Sequence, residues 1–216
     1  MKIYDHLTSY CNLHNVTLVA VSKTKPTSAI AEMYQLGQRV FGENRVQELV
    51  EKENVLPNDI EWHMIGHLQT KKVKSIIPFI SLIHSGDRTS LLIEINKQAA
   101  KTDEIIDVLI QVKVAKEESK HGWDIKELLE QVSLFQESYP NIRFRGIMAM
   151  ATFTEDESVL AQEFEKAKNI FDILRENNYF DSNFDILSMG MSGDYKLAIA
   201  SGSSMIRVGS LLFGAR

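Results

Sequence analysis

The chain has 216 residues, 44% of them hydrophobic and 25% charged, and a formal net charge of −5. That composition suits a single folded domain with a sizeable core, and it offers no basic footprint for nucleic acid. The one cysteine, Cys11, excludes an internal disulfide and any multi-cysteine metal site.

The N-terminus, MKIYDHLTSY, has no basic start followed by an apolar run, so no signal peptide is expected. Cys11 falls in an amphipathic N-terminal helix, where it reads as a packing residue. No stretch approaches the roughly 20 apolar residues that span a bilayer. A cytoplasmic protein is the expectation, and a lone thiol fits a reducing compartment.

From there, short β-branched or apolar runs alternate with helical patterns. Val16 to Ser22 reads as a buried strand, and Pro26, Thr27 and Ser28 lead into a helix over Ala29 to Leu36. Arg39 to Phe41 is a short strand before a helix over Asn44 to Glu53. Ile60 to Ile65 is a strand, then Thr70 to Ile77 a helix with Lys71, Lys72 and Lys74 on its solvated face. Phe79 to His84 and Ile105 to Val114 are strands, followed by helices over Thr89 to Ala100 and Asp124 to Tyr139. A strand over Ile142 to Ala149 precedes a long helix over Glu155 to Asn177. Phe184 to Ser188 and Ser204 to Val208 are the last strands, followed by Tyr195 to Ala200 and Leu211 to Gly214.

Eight strands, each followed by a helix or helical turn, predict an α/β fold: a single (β/α)8 TIM barrel. No Pro/Gly/Ser linker divides residues 1–216, so one domain is expected. An open doubly wound sheet would show the same alternation. A dinucleotide-binding version needs GxGxxG after the first strand, where this chain has SKTKP.

In such barrels the active site lies at the C-terminal ends of the strands. Lys23 and Lys25 follow the first strand and Asn44 the second. His67 and Gln69 follow the third, Ser85 and Asp87 the fourth, and Ser119, Lys120 and His121 the fifth. Gly190-Met191-Ser192-Gly193-Asp194 follows the seventh strand, and Arg207-Val208-Gly209-Ser210 closes the eighth. Those last two loops stand where such barrels hold a phosphate, with glycines that let backbone approach an anion; taken singly, each is equally an ordinary turn. Lys23 taken singly reads as a solvated lysine. A mouth lysine beside a phosphate cup is the combination that pyridoxal 5'-phosphate (PLP) requires. No metal ligands are expected. His63 and His67 are four apart, but across a strand and its loop, so a histidine bonded within the barrel is the expectation for His63. Met148, Met150, Met189 and Met191 read as core and barrel rim.

The segments LVAVSKTKP (18–26), FGENRVQEL (41–49), EWHMIGHLQTKK (61–72), EESKHG (117–122), RGIMAMA (145–151), LSMGMSGDYKLAIASGSSMIRVGS (187–210) and LFGAR (212–216) carry a family likeness. Together they resemble the YggS/PROSC family, the PLP homeostasis proteins, over nearly the whole chain from about residue 16. The resemblance implies a fold-type III PLP barrel like the N-terminal domain of alanine racemase. It implies that Lys23 holds PLP as a Schiff base. Ser192, Gly209 and Ser210 match phosphate-binding positions, with serine at 210 where the family often has threonine. Arg207 matches an arginine facing the pyridine nitrogen, and Asn44 lies near the ring. Lys120 matches a lysine implicated in cofactor release or transfer, and Lys25 is a further candidate. The sequence departs from the pattern at Lys71 and Lys113, where the family usually has asparagine, and its leading helix is shorter.

An arginine at the pyridine nitrogen leaves that nitrogen unprotonated, since two facing positive charges repel. The ring is then a weaker electron sink. The expected function is therefore PLP homeostasis, with PLP held and then released or transferred, with apo-enzymes as candidate recipients, and with no clear catalytic activity. A monomer is expected. The alternative is a PLP-dependent amino-acid racemase. That chemistry resembles a two-base mechanism whose tyrosine comes from a second domain, which this chain, ending after the eighth strand, is expected to lack. A third reading is a barrel enzyme that binds a phosphorylated substrate without PLP and gives Lys23 no special role.

Overall fold

The computed structural model describes residues 2–115 and 121–214. Eight strands form a closed barrel in chain order: β1 (Thr17–Val21), β2 (Val40–Glu43), β3 (Glu61–Met64), β4 (Ile80–Gly86), β5 (Ile106–Val112), β6 (Ile142–Ala149), β7 (Ile186–Ser188) and β8 (Met205–Val208). Neighbouring strands run parallel. The first and last pair with each other, Val19 opposite Arg207 and Ala20 opposite Val208. That closure removes both sheet edges and settles the barrel over the open doubly wound sheet.

Helix α1 (Lys2–Leu13) precedes the barrel, and α2 (Thr27–Gln35), α3 (Val46–Glu53) and α4 (Thr89–Ala99) pack outside it. They are followed by α5 (Ile125–Gln131), α6 (Phe135–Ser138), α7 (Glu157–Glu176), α8 (Tyr195–Ala200) and α9 (Ser210–Phe213). Strands covered on one face by helices and on the other by the interior must be apolar on both faces. Accordingly, Ala20, Phe41, Val108, Ile110 and Ile147 face the helices, while Val19, Leu82, Leu109, Met148 and Met205 fill the interior. In α7, Leu160, Phe164, Ala167, Phe171 and Leu174 recur at three- and four-residue spacing and are all buried. The Asp156 carboxylate caps that helix, accepting from the Ser158 and Val159 N–H groups.

Three elements differ from the sequence expectation. The helix after β3 is a 3-10 turn over Thr70–Ser75, whose steeper rise covers the short connection with fewer residues. Lys71 and Lys74 on it are exposed, as expected, while Lys72 Nζ donates to Gln47 Oε1 at 2.8 Å. The helix read over 124–139 breaks at Val132–Leu134, where the winding tightens to 3-10. Val132 and Ser133 are poor helix formers, yet Val132, Phe135 and Tyr139 all still reach the core. Finally, β2 continues through Gly42 to Glu43, beyond the expected end at Phe41. Gly42 makes room for that continuation: a Cβ would stand 2.9 Å from Val19 Cγ1 and 3.0 Å from Ile65 Cδ1.

Cys11 packs in the core, and burial pushes its thiol up to about 11, which leaves it protonated and unreactive at neutral pH. Among the described residues no helix is long and apolar enough to cross a membrane. Truncating Phe164, fully buried between α7 and the barrel, should leave a cavity and cost about 3–5 kcal/mol. Phe164→Ala should accordingly lower the urea midpoint without changing which strands form; an unchanged midpoint would contradict this packing.

Candidate functional site

A cavity of about 1120 Å³ opens at the C-terminal ends of the strands. Side chains on a strand alternate between its two faces. Val19 fills the interior, Val21 lines the cavity above it, and Lys23 stands two residues further on the same side, half-buried. Lys25, Asn44, Ser192, Arg207, Gly209 and Ser210 line the same cavity. Residues scattered over most of the chain therefore meet at one mouth. Lys120 and Ser119 lie outside the described residues. Lys25 Nζ donates to the carbonyls of Phe213 and Gly214 at 3.0 and 3.2 Å, which ties it to the end of the chain.

Beneath Lys23 sits a buried ion cluster that sequence reasoning missed. Lys52 Nζ, from α3, donates to Glu43 Oε1 at 2.6 Å and to the Ser22 carbonyl at 2.9 Å. Ser22 Oγ also donates to Glu43 Oε1, at 2.6 Å. Glu43 is fully buried and its Oε2 has no partner among the described residues. Burial pushes its carboxyl above the ordinary value, opposed by the bonds from Lys52 and Ser22. The cluster bolts the end of β1 to the end of β2 just where Lys23 and Asn44 leave them. Thr24 then turns through a left-handed φ of 64°, its N–H held by Glu48 Oε2 at 2.8 Å. Asn44 is fixed from the other side, since Gly66 approaches so closely that a Cβ would lie 2.4 Å from the Asn44 carbonyl oxygen.

Arg207 points inward from β8 and is almost fully buried. Its Nη2 donates to the Ala149 carbonyl at 2.9 Å and its Nη1 to Ser188 Oγ at 2.5 Å. Ser188 Oγ in turn contacts His84 Nδ1 at 3.2 Å, and His84 Nε2 contacts His63 Nδ1 at 3.1 Å. An arginine can only donate, so Ser188 Oγ accepts from it. The hydroxyl proton turned to His84 Nδ1 puts the His84 proton on Nε2, facing His63 Nδ1; a hydroxyl that accepts twice gives the opposite tautomers, and in either arrangement both rings are neutral. Burial agrees, holding His63 down to about 3 and His84 well below the usual histidine range. Burial also lowers Arg207, to about 10, which leaves it cationic at neutral pH. His63 is thus bonded within the barrel, as its strand position suggested. His84 and Ser188 were the unread members; strict alternation along the strands, which puts His84 on the same side as Leu82, is the signal that would have found His84.

The two glycine-serine loops meet. Gly209 N–H donates to Ser192 Oγ at 3.2 Å, so the β7 loop and the end of β8 form one wall. A Cβ on Gly193 would meet nothing within 4 Å, which leaves open space beside backbone that lines the cavity. Ser210 is exposed and opens α9. Of the other expected positions, Ser85 lies inside β4, fully buried, and not after it. Met148 and Met189 are core, while Met150 and Met191 are cavity wall. Lys71 and Lys113 are exposed and are not among the described lining residues.

Residues 4–216 match the family model described as the N-terminal domain of alanine racemase. The chain is 41% identical over 203 residues to the pyridoxal phosphate homeostasis protein of Aquifex aeolicus, covering 92% of this chain and 86% of that one. It superposes on PipY of Synechococcus elongatus, solved with PLP bound, with a TM-score of 0.85 and 34% identity, covering 98% of this chain and all of that one (100%). Alanine racemase from Bartonella henselae, with covalently bound PLP, shares the fold at a TM-score of 0.74 and 19% identity; 96% of this chain matches 57% of the racemase.

Lys52→Ala should leave the Glu43 carboxylate buried and unpaired, at a cost of about 3–5 kcal/mol. The paired change Glu43→Gln with Lys52→Met should restore part of that loss in urea unfolding; equal losses in single and double variants would mean the ion pair is not the cause. The two depressed histidines set a pH dependence. The unfolded chain takes up protons near the ordinary histidine value of about 6.5, which the folded chain refuses until far lower pH. Their contribution to stability is present above about 6.5 and is lost as pH falls toward about 3, with a slope approaching about 1.4 kcal/mol per pH unit for each ring. Glu43, whose pKa is raised, acts in the opposite sense, so a difference measurement is needed. His63→Gln keeps an acceptor for His84 but cannot titrate, and between pH 6.5 and 5 it should lose stability less steeply than wild type. Parallel curves would refute the neutral-histidine assignment.

Proposed function

The chain belongs to the family of pyridoxal phosphate homeostasis proteins, built on the alanine racemase N-terminal domain, and from that premise we propose that its cavity holds PLP covalently on Lys23. The protein binds PLP and serves its homeostasis; that is the function its relatives' name carries. When bound, PLP supplies an aldehyde that forms a Schiff base with a primary amine and a ring that withdraws electrons.

The observation that carries the reading is the convergence, in one cavity, of a β1 lysine, the joined glycine-serine loops and a buried arginine. The residues fit the group. Lys23 is presented from an apolar strand above a fixed ion cluster. Ser192, Gly193, Gly209 and Ser210 offer hydroxyls and backbone N–H groups to an anion, and the open space beside Gly193 is a cradle that a side chain there would fill. Asn44 stands opposite, beside Gly66.

Arg207 supports a carrier over an enzyme. Its guanidinium is held rigidly by Ser188 and Ala149 and stays charged. Set toward the ring nitrogen of a bound PLP, it would donate there and disfavour a proton on that nitrogen, which would leave the ring a poor sink for the carbanions of racemisation or decarboxylation. Release to apo-enzymes, with Lys120 as the assisting amine, is part of the same reading.

Borohydride reduction followed by peptide mapping should place the pyridoxyl group on Lys23, and Lys23→Ala should abolish the visible absorption band. Label chiefly on Lys25 or Lys120 would overturn the assignment. Ser192→Ala should weaken PLP binding by about 1.5–3 kcal/mol, the worth of a hydrogen bond to a charged group, while leaving pyridoxal binding nearly unchanged. Robust amino-acid turnover that depends on Lys23 would return the racemase alternative.

A further inference from the structure

Three side chains from three separate segments meet at the rim of the cavity, apart from the lysine, arginine and glycine-serine groups described above. His67 follows β3, Asp87 follows β4, and His121 stands ahead of α5. The Asp87 side chain is only 3% exposed. Its Oδ1 is engaged by Arg88 Nη1, and Arg88 is itself anchored through Nη2 to the Leu68 carbonyl at 2.9 Å. That leaves Oδ2 aimed at two imidazoles: His67 Nδ1 at 3.2 Å and His121 Nδ1 at 3.9 Å. The rings are stacked, with centroids 4.1 Å apart and planes 23° from parallel. One ligand atom from each residue lies within 4.8 Å of the other two.

We propose that His67, Asp87 and His121 form a three-ligand site for a divalent cation of the zinc class. Zinc sits about 2.0–2.1 Å from nitrogen and oxygen donors in a tetrahedron, which sets its ligands about 3.3 Å apart. Asp87 and His67 already have that spacing. His121 must close on Oδ2 from 3.9 Å and its ring must turn out of the stack so that both imidazole lone pairs converge on one point, and its side chain, 59% exposed, has room for that. Two imidazoles with one carboxylate is a donor set that selects zinc, copper or nickel over magnesium or calcium. Arg88 acts on the outer oxygen, as a group that orients a ligating carboxylate does. It also spreads positive charge near the site, which tempers the affinity. The fourth position is left to water. Because His67 and His121 also line the cavity, the ion would cross-link the loops after β3 and β5 at the mouth.

The sequence carries no metal spacing here. His67, Asp87 and His121 are 20 and 34 residues apart, and only closure of the barrel brings them together. The test is calorimetric titration of zinc into tag-free protein, stripped with a chelator and dialysed. A saturable 1:1 site is expected. His67→Ala, His121→Ala and Asp87→Asn should each weaken it by about tenfold or more, while His14→Ala, an exposed histidine on the far N-terminal segment, should not. The two histidine changes remove exposed rings and leave the fold intact, which a thermal melt verifies, so the result does not hinge on Asp87→Asn. Lys23→Ala should bind zinc as wild type does, which separates this site from the cofactor assignment. Absence of a 1:1 site, or one that survives His67→Ala and His121→Ala, overturns the proposal and leaves the trio a hydrogen-bonded His–Asp–His clasp.

Discussion

A guanidinium inside a barrel must have its donors met, because a buried unpaired charge costs several kcal/mol. Arg207 meets that demand with an acceptor from each of two neighbouring strands, the Ala149 carbonyl on β6 and Ser188 Oγ on β7. Ser188 Oγ in turn meets His84 Nδ1 on its far side, and His84 meets His63. The interior thereby holds an apolar set, Val19, Leu82, Leu109, Met148 and Met205, beside a hydrogen-bonded polar set. Arg207 reaches the cavity from that polar set as a fixed, charged donor.

The lysine side of the cavity obeys the same rule with a different pair. Glu43 ends β2 in a fully buried position that no isolated carboxylate tolerates. Lys52 and Ser22 compensate it, and Ser22 is the residue before Lys23. Replacing such a pair by apolar residues need not cost stability, so its worth lies in position. It locks two strand ends together at the point where the two cavity residues leave them. Rigid support of this kind holds a cavity lysine in place more accurately than a loop alone could.

At the rim the constraint is looser. His67 and His121 are partly or largely exposed, and only Asp87 is buried and anchored. The floor therefore offers fixed geometry and the mouth offers adjustable groups. A protein whose task is to hold a cofactor and let it go needs both: a floor and cup that recognise it, and an entrance that can reorganise without disturbing them.

The sequence by itself determined the α/β alternation, because eight apolar runs alternating with helical periodicity leave few other solutions; an open sheet shares that alternation, and closure was decided only by the pairing of β1 with β8. It determined the cavity residues too: Lys23, Asn44, Ser192, Arg207, Gly209 and Ser210 all line one space, since strand ends are recognisable from local composition. What it did not carry were the partners of buried charges. Nothing in the local pattern around Glu43, Lys52, His84 or Ser188 marks them out. Each acquires its role only from a group on another strand or helix, 9 to 104 positions away. The His67–Asp87–His121 cluster is legible for the same reason only in three dimensions. Local pattern fixes which face a side chain takes; only the closed barrel decides what stands opposite it, and for a buried charge the opposite group is the whole of its energetics.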